Sequence, residues 1–301
     1  MPLHAWTSAR YVLPLPPGHR FPIEKYERLR QRVLAERLVA PSHLHEPARV
    51  TDAMLRRVHT DDYIERLSAG RLSETEVRRI GFPWSPELVE RSYRAVGGTC
   101  EAVSCALASQ GVAINLAGGT HHAFAGHGEG FCVFNDVAVA IRQAQADGRI
   151  SRAAIVDLDV HQGNGTHAIF AEDEGVFTFS MHGRNNYPFH KVAGSLDIEL
   201  DDGTDDESYL AQLSDALPQV LARSSPDLVV YLAGVDAHEG DRLGRLALTF
   251  DGLARRDDMV LHAAREVGIP VAITIAGGYG REVDTTVEAH CRTVRVAASF
   301  G

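Results

Sequence analysis

The sequence predicts a single doubly wound α/β domain, residues 1–301, with a mainly parallel central sheet flanked by helices. Two observations carry that expectation. Five short apolar runs, at 112–116, 153–156, 176–180, 228–232 and 271–275, alternate with stretches of helical periodicity, the pattern of repeated strand–helix units. The runs are mostly apolar rather than alternating, as in Leu228-Val229-Val230-Tyr231-Leu232. Each strand is therefore expected to be covered on both faces, and parallel sheets are buried in that way. Crossovers between such strands should be right-handed.

The elements follow in order. Residues 8–22 are rich in proline and glycine and read as loop. In 23–38, Tyr26, Leu29, Val33 and Leu34 recur at helical spacing between charges, and Pro41 closes the segment. The stretch 52–67 divides into short helices, with Asp52 and Asp61 as expected N-caps. His59, within it, is expected to be a core or surface histidine. Residues 70–85 show no clear period; Phe82 and Trp84 are expected to pack under a neighbouring helix rather than line a pocket mouth. A helix is expected over 86–109, weak at Gly97-Gly98 and stopped at Gly111. After the strand 112–116 come Gly118-Gly119 and His121-His122. The glycine-rich loop 126–134 leads to a helix over 136–146. The strand 176–180 ends in Ser180-Met181-His182, and the loop 183–195 holds Tyr187-Pro188-Phe189. Thr204 and Glu207 form a capping-box pattern, opening a helix with Leu210, Leu213, Leu217 and Leu221, bent at Pro218. The strand 228–232 ends in Asp236, and a polar loop, 237–246, follows. A helix over 255–267 is stopped by Gly268 and Pro270. The strand 271–275 ends in Gly277-Gly278-Tyr279, and a last helix spans 282–299.

The chain is 45% hydrophobic and 23% charged, a folded rather than disordered composition. A net charge of -10 argues against nonspecific nucleic-acid binding and mildly favours cationic substrates. Cys100, Cys105, Cys132 and Cys291 form no CxxC pair, which suits a reducing compartment. The first residues lack a basic-then-apolar signal pattern, and no run approaches the roughly 18 apolar residues of a membrane span. A soluble, cytoplasmic protein without a membrane partner is the expectation. Nothing in the residues specifies an oligomeric state.

The central strand runs into Asp157-Leu158-Asp159-Val160-His161 and breaks at Gly163 and Gly165. Alternation along a strand would point Asp157, Asp159 and His161 the same way. Burying such groups unpaired is costly, and a divalent cation answers the cost; oxygen and nitrogen donors without thiolate suit zinc or iron(II). The alternative is a strand end with two solvated acids and a structural histidine. All five runs deliver polar groups at their C-terminal ends: His121 and His122; Asp157, Asp159 and His161; Ser180; Asp236; Tyr279. Ligands bind beyond the carboxyl ends of parallel strands, so a metal-assisted hydrolase leads the candidate classes.

The segments GGTHHA (118–123), GFC (130–132), DLDVHQGNG (157–165), GVDAHEGD (234–241) and AGGYG (276–280) resemble the histone deacetylase superfamily, which has the arginase/deacetylase fold. HTDDYI (59–64) is also similar, and QGNG (162–165) with GDRLG (240–244) is most similar to class IV deacetylases. The resemblance spans about residues 20–295. It implies zinc held by Asp159, His161 and Asp236, with His122 as general base and acid and His121 as its electrostatic partner. Asp157 would accept a hydrogen bond from His121, and Asn164 from His122. Asn164 being neutral, His122 should be less basic than an aspartate there would make it. Tyr279 would donate to the substrate carbonyl. A structural potassium ion is implied near Asp157, Asp159, His161, Ser180 and Met181.

The implied activity is removal of acetyl or longer acyl groups from lysine in proteins or peptides. Gly130 and Phe131 would form one wall of a narrow tube for the lysine stem, and Tyr187 the other. Leu243 stands where polyamine-preferring relatives are expected to bear an acid, which tilts the reading from small acylated amines towards acyl-lysine. Three rivals differ in what they require. An acetylpolyamine amidohydrolase shares the chemistry but needs a partner for a second ammonium. A dimanganese ureohydrolase needs an acid at position 163, which is Gly163. A catalytically silent acyl-lysine reader needs neither His122 nor Tyr279.

Overall fold

In the computed structural model, which describes residues 2–301, eight strands form one parallel sheet. In chain order the elements are β1 (His4–Trp6), α1 (Lys25–Ala35), β2 (Leu44–His45), α2 (Asp52–Leu55), α3 (Asp61–Ser68), α4 (Glu74–Ile80), α5 (Pro86–Ser109), β3 (Val112–Asn115), α6 (Asp136–Ala146), β4 (Ala153–Asp157), α7 (Asn164–Phe170), β5 (Val176–Gly183), β6 (Leu196–Leu200), α8 (Asp206–Ser224), β7 (Leu228–Leu232), α9 (Phe250–Glu266), β8 (Val271–Thr274) and α10 (Val283–Ser299). The strand order is β2-β1-β3-β8-β7-β4-β5-β6. The five apolar runs are five of the six inner strands, β3, β8, β7, β4 and β5; the sixth is the short β1.

Successive side chains of a strand face opposite layers, and the two cores divide on that rule. Ala154 and Val156 of β4, with Val229 and Tyr231 of β7, pack against α1, α8, α9 and α10. Ala153 and Ile155, with Leu228, Val230 and Leu232, pack against α5 and α6 on the other face. A third cluster gathers α2, α3 and α4 beside α5 and buries Tyr63, Phe82, Tyr93 and Phe134. Phe82 thus packs, as expected, and also lines an inner cavity. The Trp84 ring nitrogen donates to the Leu67 carbonyl. His59 is a core histidine: its Nδ1 faces the Phe124 carbonyl at 3.1 Å and its Nε2 accepts from the Asn135 amide.

The helix starts differ from the sequence expectation in a consistent way. Thr51 and Thr60, not Asp52 and Asp61, cap α2 and α3, their hydroxyls accepting the amides of Met54 and Tyr63. Each aspartate instead lies in the first turn, where its charge suits the helix dipole. The expected Thr204–Glu207 box is absent; Asp205 caps α8 by accepting from Ser208, and α8 runs through Pro218. A capping box does occur at Ser73 and Glu76, opening α4 within the stretch that showed no period. Helix α9 starts earlier than expected, capped by Thr249. Among the described residues, no helix is long and apolar enough to cross a membrane.

Candidate active site

The carboxyl ends of β4 and β7 lie level, since Asp157 is in register with Leu232, while β5 runs three residues beyond Ser180, the partner of Asp157. Strand β4 stops at Asp157, so alternation along a strand does not align the DxDxH acids, contrary to the sequence expectation. Asp159 and His161 stand on the loop beyond it and turn towards the end of β7, while Asp157 turns to His121. Ligand atoms of Asp159, His161 and Asp236 come within 4.8 Å of one another, all three residues buried. His161 Nδ1 is 3.0 Å from Asp159 Oδ1 and 3.2 Å from Asp236 Oδ2.

The surroundings fit a cation at this place. The Gly277 amide donates to Asp159 Oδ2 at 2.8 Å and the Val160 amide to Asp236 Oδ1 at 2.9 Å, so backbone aims both carboxylates. Asp236 Oδ2 is buried and, although 3.2 Å from His161 Nδ1, is not aligned for a hydrogen bond with it or any other group; such a buried oxygen is costly unless an ion or water completes it. Gly277 has to be glycine, because a Cβ there would collide with both carboxylates. Burial opposes a charge on His161, yet Asp159 and Asp236 raise its pKa to about 10; the cluster attracts positive charge.

One buried arginine sets the spacing of the two ligand loops. Arg256, on α9, donates through Nη1 to the carbonyls of Leu158 at 3.2 Å and Gly234 at 2.6 Å. Those residues lie one and two positions before Asp159 and Asp236. Asp257 pairs with Arg256 at 2.8 Å, and the hydroxyls of Tyr231 and Thr293 donate to Asp257 in turn.

Two histidines from the loop after β3 face this cluster. His121 Nδ1 is 2.7 Å from Asp157 Oδ2, and His122 Nδ1 is 2.7 Å from Asn164 Oδ1. Burial lowers the His121 pKa, but Asp157 and Asp159 outweigh it and raise it to about 9. Burial, His121 and His161 push His122 well below the ordinary histidine value. Its tautomer follows from Glu129. That carboxylate accepts from Asn164 Nδ2 at 2.8 Å and from the Tyr187 hydroxyl at 2.7 Å. Burial raises the Glu129 pKa, but its hydrogen bonds prevail and lower it, keeping an acceptor-only group. Asn164 must therefore turn its NH₂ to Glu129 and its oxygen to His122. His122 then carries its hydrogen on Nδ1, and Nε2 is left to accept a proton.

Gly130, Phe131, Tyr187 and Leu243 line one cleft with His122, His161 and Tyr279. The Tyr187 ring meets His122 edge-on at 4.9 Å, and Phe131 lies 5.8 Å from Tyr279, centroid to centroid. Gly130 has φ +56°, and a Cβ on it would stand 2.6 Å from His122 Cδ2; glycine alone fits. The Tyr279 amide donates to Asp241 Oδ2, fixing the residue. Burial, with Asp159 and Asp236 nearby, raises the Tyr279 pKa well above its ordinary value, so the phenol keeps its proton. Ser180 and Met181 are buried on β5, the Ser180 hydroxyl 2.9 Å from His182 Nδ1. Leu243 is held by its backbone, its amide donating to Asp241 and its carbonyl accepting from Asn186.

Comparison with known proteins decides the family. The histone deacetylase domain family matches residues 19–294. The chain belongs to the histone deacetylase family. It is 46% identical over 287 residues to an uncharacterized protein of Picosynechococcus, covering 95% of each. It is 35% identical to histone deacetylase 2 of Arabidopsis thaliana, covering 87% of this chain and 70% of that one. With a histone deacetylase-like amidohydrolase of Pseudomonas aeruginosa it shares 30% over 296 residues, covering 93% of this chain and 76% of that one. The crystal structure of an HDAC homolog from Aquifex aeolicus has the same fold, with a TM-score of 0.87 at 23% identity, covering 100% of this chain and 85% of that one. This member of the deacetylase family is accordingly a hydrolase acting on amides, and the family is typically zinc-dependent.

The cleft and the ligand cluster are also held by residues that the sequence does not single out. Glu129 sits in a glycine-rich stretch, and Arg256 in a helix dense with charge; neither forms a motif. The helix α7, which carries Asn164, was hidden because its first turn, Asn164-Gly165-Thr166, lacks apolar spacing.

Proposed function

We propose that this chain removes acyl groups from the side chains of lysines in peptides or proteins, with one divalent cation, zinc, held by Asp159, His161 and Asp236. The observation that carries the reading is a buried cluster of three candidate ligands whose His161 opens into the same cleft as a histidine, His122, and a phenol, Tyr279. Iron(II) suits the same donors. Such a cation supplies a Lewis acid, making water more acidic and an amide carbonyl more electrophilic. His122 takes the proton of the attacking water on Nε2 and returns it to the leaving lysine nitrogen. Its lowered pKa keeps it in the accepting form at neutral pH. His121, charged beside Asp157, orients and polarises that step. The Tyr279 hydroxyl donates to the carbonyl oxygen as negative charge builds on it.

Phe131 and Tyr187 flank the stem of the acylated lysine, whose methylenes suit aromatic walls. Leu243 at the cleft offers no partner to a second ammonium group, which favours acyl-lysine over acetylpolyamines. A structural potassium ion belongs beside Asp157 and the Ser180–Met181 segment, where β4 and β5 lie in register. The class IV likeness makes long acyl chains part of the question.

The test is turnover of lysine peptides bearing acetyl to myristoyl groups by the zinc-loaded protein, with acetylputrescine alongside. Peptide turnover should exceed that of acetylputrescine. Tyr279→Phe should lower kcat by about 10²–10³-fold, the usual effect of losing one oxyanion donor. Turnover of no acyl-lysine peptide, or undiminished turnover by Tyr279→Phe, would overturn the reading; the second outcome would leave Tyr279 without a chemical role.

A further inference from the structure

The mouth of the cleft has a charge opposite to that of the chain. The chain carries -10 overall, yet the charged side chains lining the outer cleft, apart from its histidines, are Arg20, Arg79 and Arg245, with no carboxylate among them. Arg245 pairs with Asp202 at 3.1 Å in an exposed bridge, of the kind that contributes little. Among the described residues, Arg20 and Arg79 have no carboxylate partner, and both are exposed.

These arginines are tied to the tube itself. The Arg79 carbonyl accepts from the Gly130 amide at 3.1 Å, so Arg79 stands at the lip beside Phe131. The Arg20 carbonyl accepts from Arg242 Nη2 at 3.1 Å, and Arg242 Nε donates to the Tyr279 carbonyl at 3.0 Å. The nearby acid, Glu129, gives no compensation outside, because it faces inward to Asn164 and Tyr187. Exposed Phe189 completes the rim.

We propose that this mouth selects acylated lysines set in acidic polypeptide, the guanidinium groups pairing with Asp or Glu on either side of the modified residue. The proposal rests on the deacylase reading above. Acylation removes the charge of the lysine, so the flanking residues alone decide what charge the substrate brings to the rim. Guanidinium groups hold carboxylates in a planar, two-bond geometry, and a local positive field raises the encounter rate of acidic chains. A lysine-rich flank would meet like charge. The total charge of the chain thus points the wrong way for substrate choice, because no carboxylate lines the mouth.

Acetyl-lysine peptides of equal length with acidic, neutral or basic flanks separate the outcomes. For wild type, kcat/KM should be about tenfold or more higher with acidic than with basic flanks, chiefly through KM. The ratio should shrink as salt rises from about 0.01 M to about 0.15 M, which shortens the screening length from roughly 30 to roughly 8 Å. In the Arg20→Glu, Arg79→Glu double variant the order should reverse. Fluorescence anisotropy of the same labelled peptides reads binding without turnover, so it tests the mouth even if no peptide is hydrolysed. Acidic peptides binding more tightly, with salt sensitivity and reversal in the double variant, would support the proposal. Equal affinity for acidic and basic peptides, or a preference that survives the double substitution, would overturn it. Absence of hydrolysis with the binding order intact would count against the deacylase reading alone.

Discussion

Glu129 Oε1 accepts from both the Asn164 amide and the Tyr187 hydroxyl, linking the proposed base to the tube wall through one oxygen. A glutamine can present an oxygen at the same point, so charge and position are separable. Glu129→Gln should keep kcat within about threefold of wild type. Glu129→Ala frees the Asn164 amide to rotate and should lower kcat about 10–100-fold, the usual cost of removing an orienting partner; it should also raise KM by releasing Tyr187. Steady-state kinetics of the two variants on one acetyl-lysine peptide decide this. Equal kinetics for Ala and wild type would show that the network orients nothing. The sequence displays the groups proposed to react far better than their supports. His121, His122 and Tyr279 stand at strand ends beside glycines, whereas Glu129 is one acid in a loop whose folding against Asn164 leaves no periodic trace.

The strands and helices around the site were legible to the extent that they are buried on two sides. Inner strands β3, β4, β5, β7 and β8 are mostly apolar because helices cover both faces. Strands β1 and β2, of three and two residues, are too short for a pattern. Edge strand β6 alternates Leu196, Asp197, Ile198, Glu199 and Leu200, a period-two signal in the short stretch between the loop 183–195 and the helix expected from Thr204. Helix α4 is mostly charged and exposes most of its surface, so its cap rather than its period marks it. Helix α9 owes its place in the site to a single side chain, Arg256, which ties the Asp159 and Asp236 loops together. Arg256→Met should weaken zinc binding by about 10–100-fold, measured by competition with a chelator. It should also destabilise the fold by roughly 3–5 kcal/mol, because Asp257 is left as an unpaired buried charge, measured by urea unfolding. Unchanged zinc affinity in a folded Arg256→Met protein would remove the arginine from the account of the site.

Across the chain, stability should depend on pH through its buried neutral histidines. Burial lowers the pKa of His59 from 6.5 to about 4, against the backbone carbonyls that raise it. Between those values the unfolded chain binds a proton that the folded chain refuses, so stability falls as pH drops through the window. The difference corresponds to roughly 3 kcal/mol. His121 is shifted the other way, to about 9; its contribution is complete below 6.5 and is lost as pH rises towards 9, outside this window. Urea unfolding of the metal-free protein at pH 7 and pH 4.5 should show the loss. His59→Gln should be less stable at pH 7, with a flatter dependence below it. A slope unchanged by that substitution would mean that His59 does not titrate in this way. The same separation of local from global applies to charge: the total of -10 favours solubility, while the cleft mouth is lined by arginines.

Residues far apart in sequence meet because parallel strands deliver their ends to one side of the sheet. The claim on which the rest depends is that Asp159, His161 and Asp236 hold one catalytic cation. Metal-free protein titrated with zinc, while hydrolysis of an acetyl-lysine peptide is followed, tests it most directly. Activity should rise to a break at one equivalent per chain, and Asp236→Asn should show no such break and little activity. A break at two equivalents, or full activity without added metal or in Asp236→Asn, would contradict it.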